Sequence, residues 1–184
     1  MATYFGQNSE SPAGYYGQNY FWVRGTGSLA IWLCPGSGNQ NILTLGFWGK
    51  SGGGVPGDAR CAIYDSSDNL VCQHSAAVSI NSTTAQWWCE AQGFTGTTVL
   101  TGGAYYKIGL TTDVVDTTYG YSSNEGDCTY GSVSYTAGWP ATRTDGGAAQ
   151  RAHIRCLVEA AAGGLSIPGN PFRKPFVRPF GGVL

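Results

Sequence analysis

From Gln40 onward the chain is written in short runs of alternating apolar and polar residues, each closed by a cluster of Gly, Pro, Asp, Asn or Ser. A period of two sends successive side chains to opposite faces, which suits a half-buried strand and no helix. The clearest pair is Asp58-Ala-Arg-Cys-Ala-Ile-Tyr64 and Asn69-Leu-Val-Cys-Gln73, joined by Asp65-Ser-Ser-Asp68. Asp and Ser bond locally to backbone, so the join predicts a hairpin with a four-residue loop. The simplest register sets Ile63 opposite Leu70 and Cys61 opposite Cys72, which brings the two thiols within reach of a cross-strand disulfide.

Further strands are expected at 20–24, 29–33, 41–50, 76–80, 85–91, 105–110, 117–122 and 152–160. Alternation places Ala104, Tyr106, Ile108 and Leu110 on one face of their strand, with Tyr105 and Lys107 on the other. Ile154, Cys156 and Val158 likewise oppose His153, Arg155 and Glu159. About eight or nine strands at this spacing predict an all-β fold, a jelly-roll-like antiparallel β-sandwich over residues 20–160. Residues 1–19, polar, Gly-rich and aromatic, predict an extended N-terminal arm. The stretch 136–150, with Trp139-Pro140 and Gly146-Gly147, reads as a long loop that carries contacts.

Residues 161–184 are different in kind. Pro171-Phe172, Pro175-Phe176 and Pro179-Phe180 repeat at a four-residue step, with Arg173, Lys174 and Arg178 between them. Three prolines at this spacing remove backbone donors and fix φ, which excludes a helix and disfavours a central strand. In an extended chain four residues advance roughly 13 Å and return each Phe to the same side. Such a row gains nothing in water, so the expectation is a C-terminal docking arm ordered against another subunit, with a disordered, sticky terminus as the alternative.

Charge supports the same division. Only 11% of residues are charged, against about 25% in a typical soluble domain, so the surface is weakly protected from self-association. Residues 1–159 carry a net −4 and residues 160–184 a net +3. Tail and body attract, but three charges are too few to argue for nucleic-acid binding. The N-terminus has neither a basic start nor an apolar run, and no stretch approaches a membrane span, so synthesis in a cytosol without a signal peptide is expected.

Chemistry is sparse. The six cysteines form no C-x-x-C pair, which argues against zinc, and no metal or other cofactor is expected. His74 and His153 are the two neutral-pH bases. His74 shares a face with Cys72, so a thiol–imidazole pair is one reading and an exposed strand histidine the other; His153 falls on the polar face of the last strand. Asp113, Asp116, Glu125 and Asp127 read as solvated loop acids, with a bridging calcium as the alternative. Asn81-Ser82-Thr83 matches a glycosylation acceptor without a secretion signal, and Gly52-Gly53-Gly54 lacks the residues of a phosphate loop. No complete catalytic set emerges, and a non-enzymatic role is expected.

The aromatics say more. Trp87 and Trp88 are adjacent on one strand and must point to opposite faces, while Tyr119 and Tyr121 share a face. Together with Trp139 they are candidate contacts for a subunit or a glycan, with simple core packing as the third reading.

The block Ala59-Arg-Cys-Ala-Ile-Tyr-Asp65, then Asn69-Leu-Val-Cys-Gln73, then Leu100-Thr-Gly-Gly-Ala-Tyr-Tyr-Lys-Ile-Gly109 resembles the small β-sandwich modules of tailed-phage virion proteins, of capsid-decoration or head-fibre type, and of carbohydrate-binding regions. The likeness covers roughly residues 20–160 and records sandwich geometry more than chemistry. It implies a virion structural protein whose partners are copies of itself and a major capsid or other virion protein, or else a glycan-binding adhesin. The Pro-Phe tail lies outside the likeness.

Overall fold

The computed structural model describes residues 1–6, 14–17, 21–24, 32–51, 57–80, 87–112, 117–122, 128–131, 139–142, 148–149 and 151–161. The tail from residue 162, the acids Asp113, Asp116, Glu125 and Asp127, and residues 7–13 and 18–19 of the expected N-terminal arm lie outside these residues; the described parts of that stretch, Thr3–Gly6 and Gly14–Gly17, are strands of the sandwich, with Phe5 in its core. No helix occurs among the described residues.

The first strands are β1 (Thr3–Gly6), β2 (Gly14–Gly17), β3 (Phe21–Arg24), β4 (Trp32–Leu33), β5 (Gly38–Ser51), β6 (Gly57–Asp65), β7 (Leu70–His74) and β8 (Val78–Ile80). They are followed by β9 (Trp87–Ala91), β10 (Phe94–Gly96), β11 (Val99–Gly102), β12 (Tyr105–Thr112), β13 (Thr117–Ser122), β14 (Cys128–Gly131), β15 (Ala148–Ala149), β16 (Arg151–Ala152) and β17 (Ile154–Ala160). Two sheets result. One is ordered β1-β17-β5-β13-β16, with β9 and β11 also on β5 and β2 on β13; the other is ordered β10-β7-β6-β12-β3-β14-β15, with β4 on β12 and β8 on β6. We refer to them as the β5 sheet and the β6 sheet.

The two sheets face each other across one core, so the expected all-β antiparallel sandwich is what the described strands build. Phe5, Ile42, Leu45, Phe47, Leu100, Ile154, Cys156 and Val158 from the β5 sheet meet Cys61, Ile63, Cys72, Tyr106, Ile108 and Leu110 from the β6 sheet. Leu45, Phe47, Ile63, Ile108 and Leu110 have no exposed surface, and burying each contributes about 1.5–3 kcal/mol. The central strand β5 carries an irregularity: Thr44 opposes Leu157 but Ile42 opposes Val158, so Leu43 is the extra residue of a bulge. That extra residue turns Ile42 inward, while Leu43 remains only half-buried.

The β6–β7 hairpin forms where the Asp/Ser cluster places it, held by Asp65. Its Oδ1 accepts the backbone N–H groups of Ser67 at 2.8 Å and Asn69 at 2.9 Å. Asp68 takes a left-handed φ of 67°, a conformation that Asp tolerates, and Lys107 pairs with its carboxylate at 2.6 Å.

The register corrects one expectation. A bulge between Ile63 and Tyr64 sets Tyr64 opposite Leu70 and Ile63 opposite Cys72, so Cys72 does not face Cys61. Both are free thiols, as are Cys34, Cys89 and Cys156. The cross-strand disulfide is therefore replaced by two buried thiols two residues out of register.

Candidate functional site

The densest arrangement of functional side chains outside the core lies on the outer face of the β5 sheet. Arg155 of β17 pairs across to Gly46 of β5, and Gly46 pairs on its other side with Glu90 of β9. In an antiparallel ladder such partners share a face, so arginine and glutamate flank a position with no side chain. They meet over it, with Arg155 Nε 2.6 Å from Glu90 Oε1. A Cβ on Gly46 would fall 2.4 Å from the Cys89 carbonyl oxygen and 2.6 Å from Glu90 Cγ. Only glycine leaves this row open.

Aromatic rings enclose the pair. The Arg155 guanidinium lies 3.8 Å from the ring centroid of Trp88 and 4.1 Å from that of Tyr4, both within range of a cation–π attraction. Trp88 meets Trp48, its cross-strand partner on β5, edge-on with centroids 5.6 Å apart. The Tyr4 hydroxyl donates to Glu90 Oε2 at a long 3.5 Å. The cluster can hold a cation between two π faces; its own arginine already occupies that place.

Of the other sequence-selected aromatics, Trp87, Tyr119 and Tyr121 are placed by backbone register alone. Trp87 is registered with Gly49, as is Tyr119 from β13. Tyr121 pairs with Ala152 and Gly14 further along β13. Trp139 corrects its expectation: it is 6% exposed and packs edge-on against the fully buried Tyr64, with centroids 6.1 Å apart. Residues 139–142 lie over the outer face of the β6–β7 hairpin. There the Tyr64 hydroxyl donates to the Pro140 carbonyl at 2.8 Å, the Leu70 N–H donates to Ala141, and Thr142 bridges to Asn69. The contacts given by residues 139–142 are with their own chain.

Both histidines are interior, against the expected exposed positions. His74 is 2% exposed and His153 fully buried. His74 Nδ1 accepts the Cys61 N–H at 3.1 Å and Nε2 lies 2.9 Å from the Leu45 carbonyl oxygen, so neither nitrogen remains for the Cys72 thiol. His153 is drawn into the sheet by its backbone, whose carbonyl accepts the Trp48 N–H at 3.0 Å. The thiols are equally withdrawn. Burial pushes Cys72 up to about 12, against the opposing effect of a hydrogen bond from the Ile63 backbone, and pushes Cys34 up to about 11. At neutral pH such groups are protonated and poorly nucleophilic. Among the described residues no three His, Cys, Asp or Glu side chains are grouped to hold a metal.

Sequence reasoning missed the roles of Arg155, Glu90, Tyr4 and Trp48 in one cluster. A single signal pointed there: Gly46 interrupts the apolar run Ile42–Trp48, and an isolated strand glycine often marks a close approach. No family model, curated protein or solved structure matches the chain. The virion role implied by the likeness to sandwich modules is accordingly a proposal.

Proposed function

We propose that the chain is a non-enzymatic structural protein of the virion type, a jelly-roll-like sandwich that joins copies of itself or another virion protein through its Pro-Phe arm. One observation carries this reading: the described strands close a core from residues 5–158, with its central side chains at 0% exposure. On this reading Phe172, Phe176 and Phe180 serve a surface outside that core. Burying three Phe side chains at about 1.5–3 kcal/mol each gives several kcal/mol before ordering costs, and repetition over many copies multiplies a modest contact.

The interior position of both histidines supports a role without catalysis, since neither offers a base to a substrate at the surface. Glycan binding has less support: Trp139 is enclosed by its own chain, and the ring face of Trp88 is taken by Arg155. Deleting residues 165–184 should leave thermal unfolding cooperative and reduce the assembled species to single subunits in light scattering. Particle size unchanged by the deletion overturns the proposal.

A further inference from the structure

The β6 sheet has a gap at one corner. β6 pairs with β7 as far as Ala62 opposite Gln73 and next engages β8 at Ala59 opposite Val78, while residues 75–77 between those strands leave the ladder. Cys61 lies at the gap. Its N–H goes to the imidazole Nδ1 of His74, at 3.1 Å. A backbone N–H can only donate, so Nδ1 carries a lone pair and the ring proton sits on Nε2. Nε2–H then donates to the Leu45 carbonyl, 2.9 Å away on β5, in the opposite sheet. The ring stacks on Phe94 of β10 with centroids 5.7 Å apart. One neutral tautomer thus ties together strands of both sheets.

We propose that His74 is an acid-sensitive clasp: its neutral ring fastens β6 to β5 across the core, and protonation releases the corner made by β6, β7 and β8. The reason is geometric. A proton on Nδ1 turns the acceptor into a donor facing the Cys61 N–H, and the new charge lies among the Cys61 backbone, the Phe94 ring and the Leu45 carbonyl. The charged group acting on it is Arg60 of β6, which repels it. Burial brings His74 down to about 4; the Leu45 carbonyl, which favours the charged ring, only partly offsets it, and the Arg60 charge adds to the lowering.

An unfolded histidine titrates near 6.5. Above that pH both states are neutral and the clasp contributes fully. As pH falls from 6.5 towards 4 the unfolded chain takes up a proton that the folded chain refuses, so stability is lost through this window. The folded-state pKa of Asp65 is lowered: burial, the largest single effect, raises it, but the hydrogen bonds from Asn69 and Ser67 and the Lys107 charge together prevail. Its contribution is therefore lost only at more acid pH.

The test is denaturant unfolding of the full chain at pH 4.5 to 8, beside His74→Gln, whose amide can accept from Cys61 and donate to Leu45 without titrating. The unfolding constant of the wild-type chain should rise about 40-fold between pH 6.5 and 4.5, and that of His74→Gln far less. Equal slopes overturn the proposal. Nitrogen chemical shifts of the wild-type imidazole supply a readout that needs no variant: the Nε2–H tautomer should persist below pH 5, and a folded-state titration near 6.5 overturns the proposal.

Discussion

On the outer face of the β6 sheet Tyr64 is completely buried, because residues 139–142 lie over it and Trp139 packs against its ring. On the outer face of the β5 sheet Tyr4, Trp48 and Trp88 stay half-buried, and Arg155 lies between two of them. The same residue types are thus stabilised by different physics. The covered face removes apolar area from water, and the Tyr64 hydroxyl there is satisfied by the Pro140 backbone carbonyl. The open face relies on a charge held against π electrons and a carboxylate, which solvent weakens. Residue type alone therefore does not say what an aromatic contributes; cover does.

Substitutions can break this contrast. Trp139→Ala should have the largest effect, about 3–5 kcal/mol in urea unfolding, since it empties a packed site and uncovers Tyr64; a loss below about 1 kcal/mol would mean that the segment does not seal the face. Arg155→Ala should cost about 1–3 kcal/mol, from the lost ring contacts and a partly buried Glu90 left without its partner. A double-mutant cycle with Glu90→Ala would sharpen it: the coupling should be clearly positive, and strict additivity would remove the ion pair from the account. Tyr4→Phe should change stability by no more than about 0.5 kcal/mol, because it keeps the ring under Arg155 and loses only a 3.5 Å hydrogen bond. A cost equal to that of Arg155→Ala would invert the ranking.

The strands were legible because alternation and turn chemistry are local. Asp65-Ser-Ser-Asp68 marks its turn in the sequence, and 117–122 falls on β13 residue for residue. The hairpin register was not legible, since the bulge at Ile63 and Tyr64 moves every partner beyond it and no Gly or Pro announces it. Lys107 shows another limit. Alternation rightly sets it opposite Tyr106, Ile108 and Leu110, yet it is only 5% exposed, because the polar face of one sheet is solvent-facing only if no later segment covers it. Alternation also sets His74 on the Cys72 face, but its two backbone partners lie 13 and 29 residues away, beyond any local pattern. The Arg155 cluster draws on four strands, β1, β5, β9 and β17, and only Gly46 hinted at it.

β1 and β17 are direct neighbours, with Thr3 opposite Val158 and Gly6 opposite Arg155. Met1 and Ala161 therefore leave this pair at the same end. Tension between those two points would open the ladder one hydrogen bond at a time, as a zipper opens, instead of loading all of its bonds together in shear. A tag fused ahead of Met1 would also emerge beside the root of the carboxy-terminal segment, where its bulk bears on whatever that segment reaches.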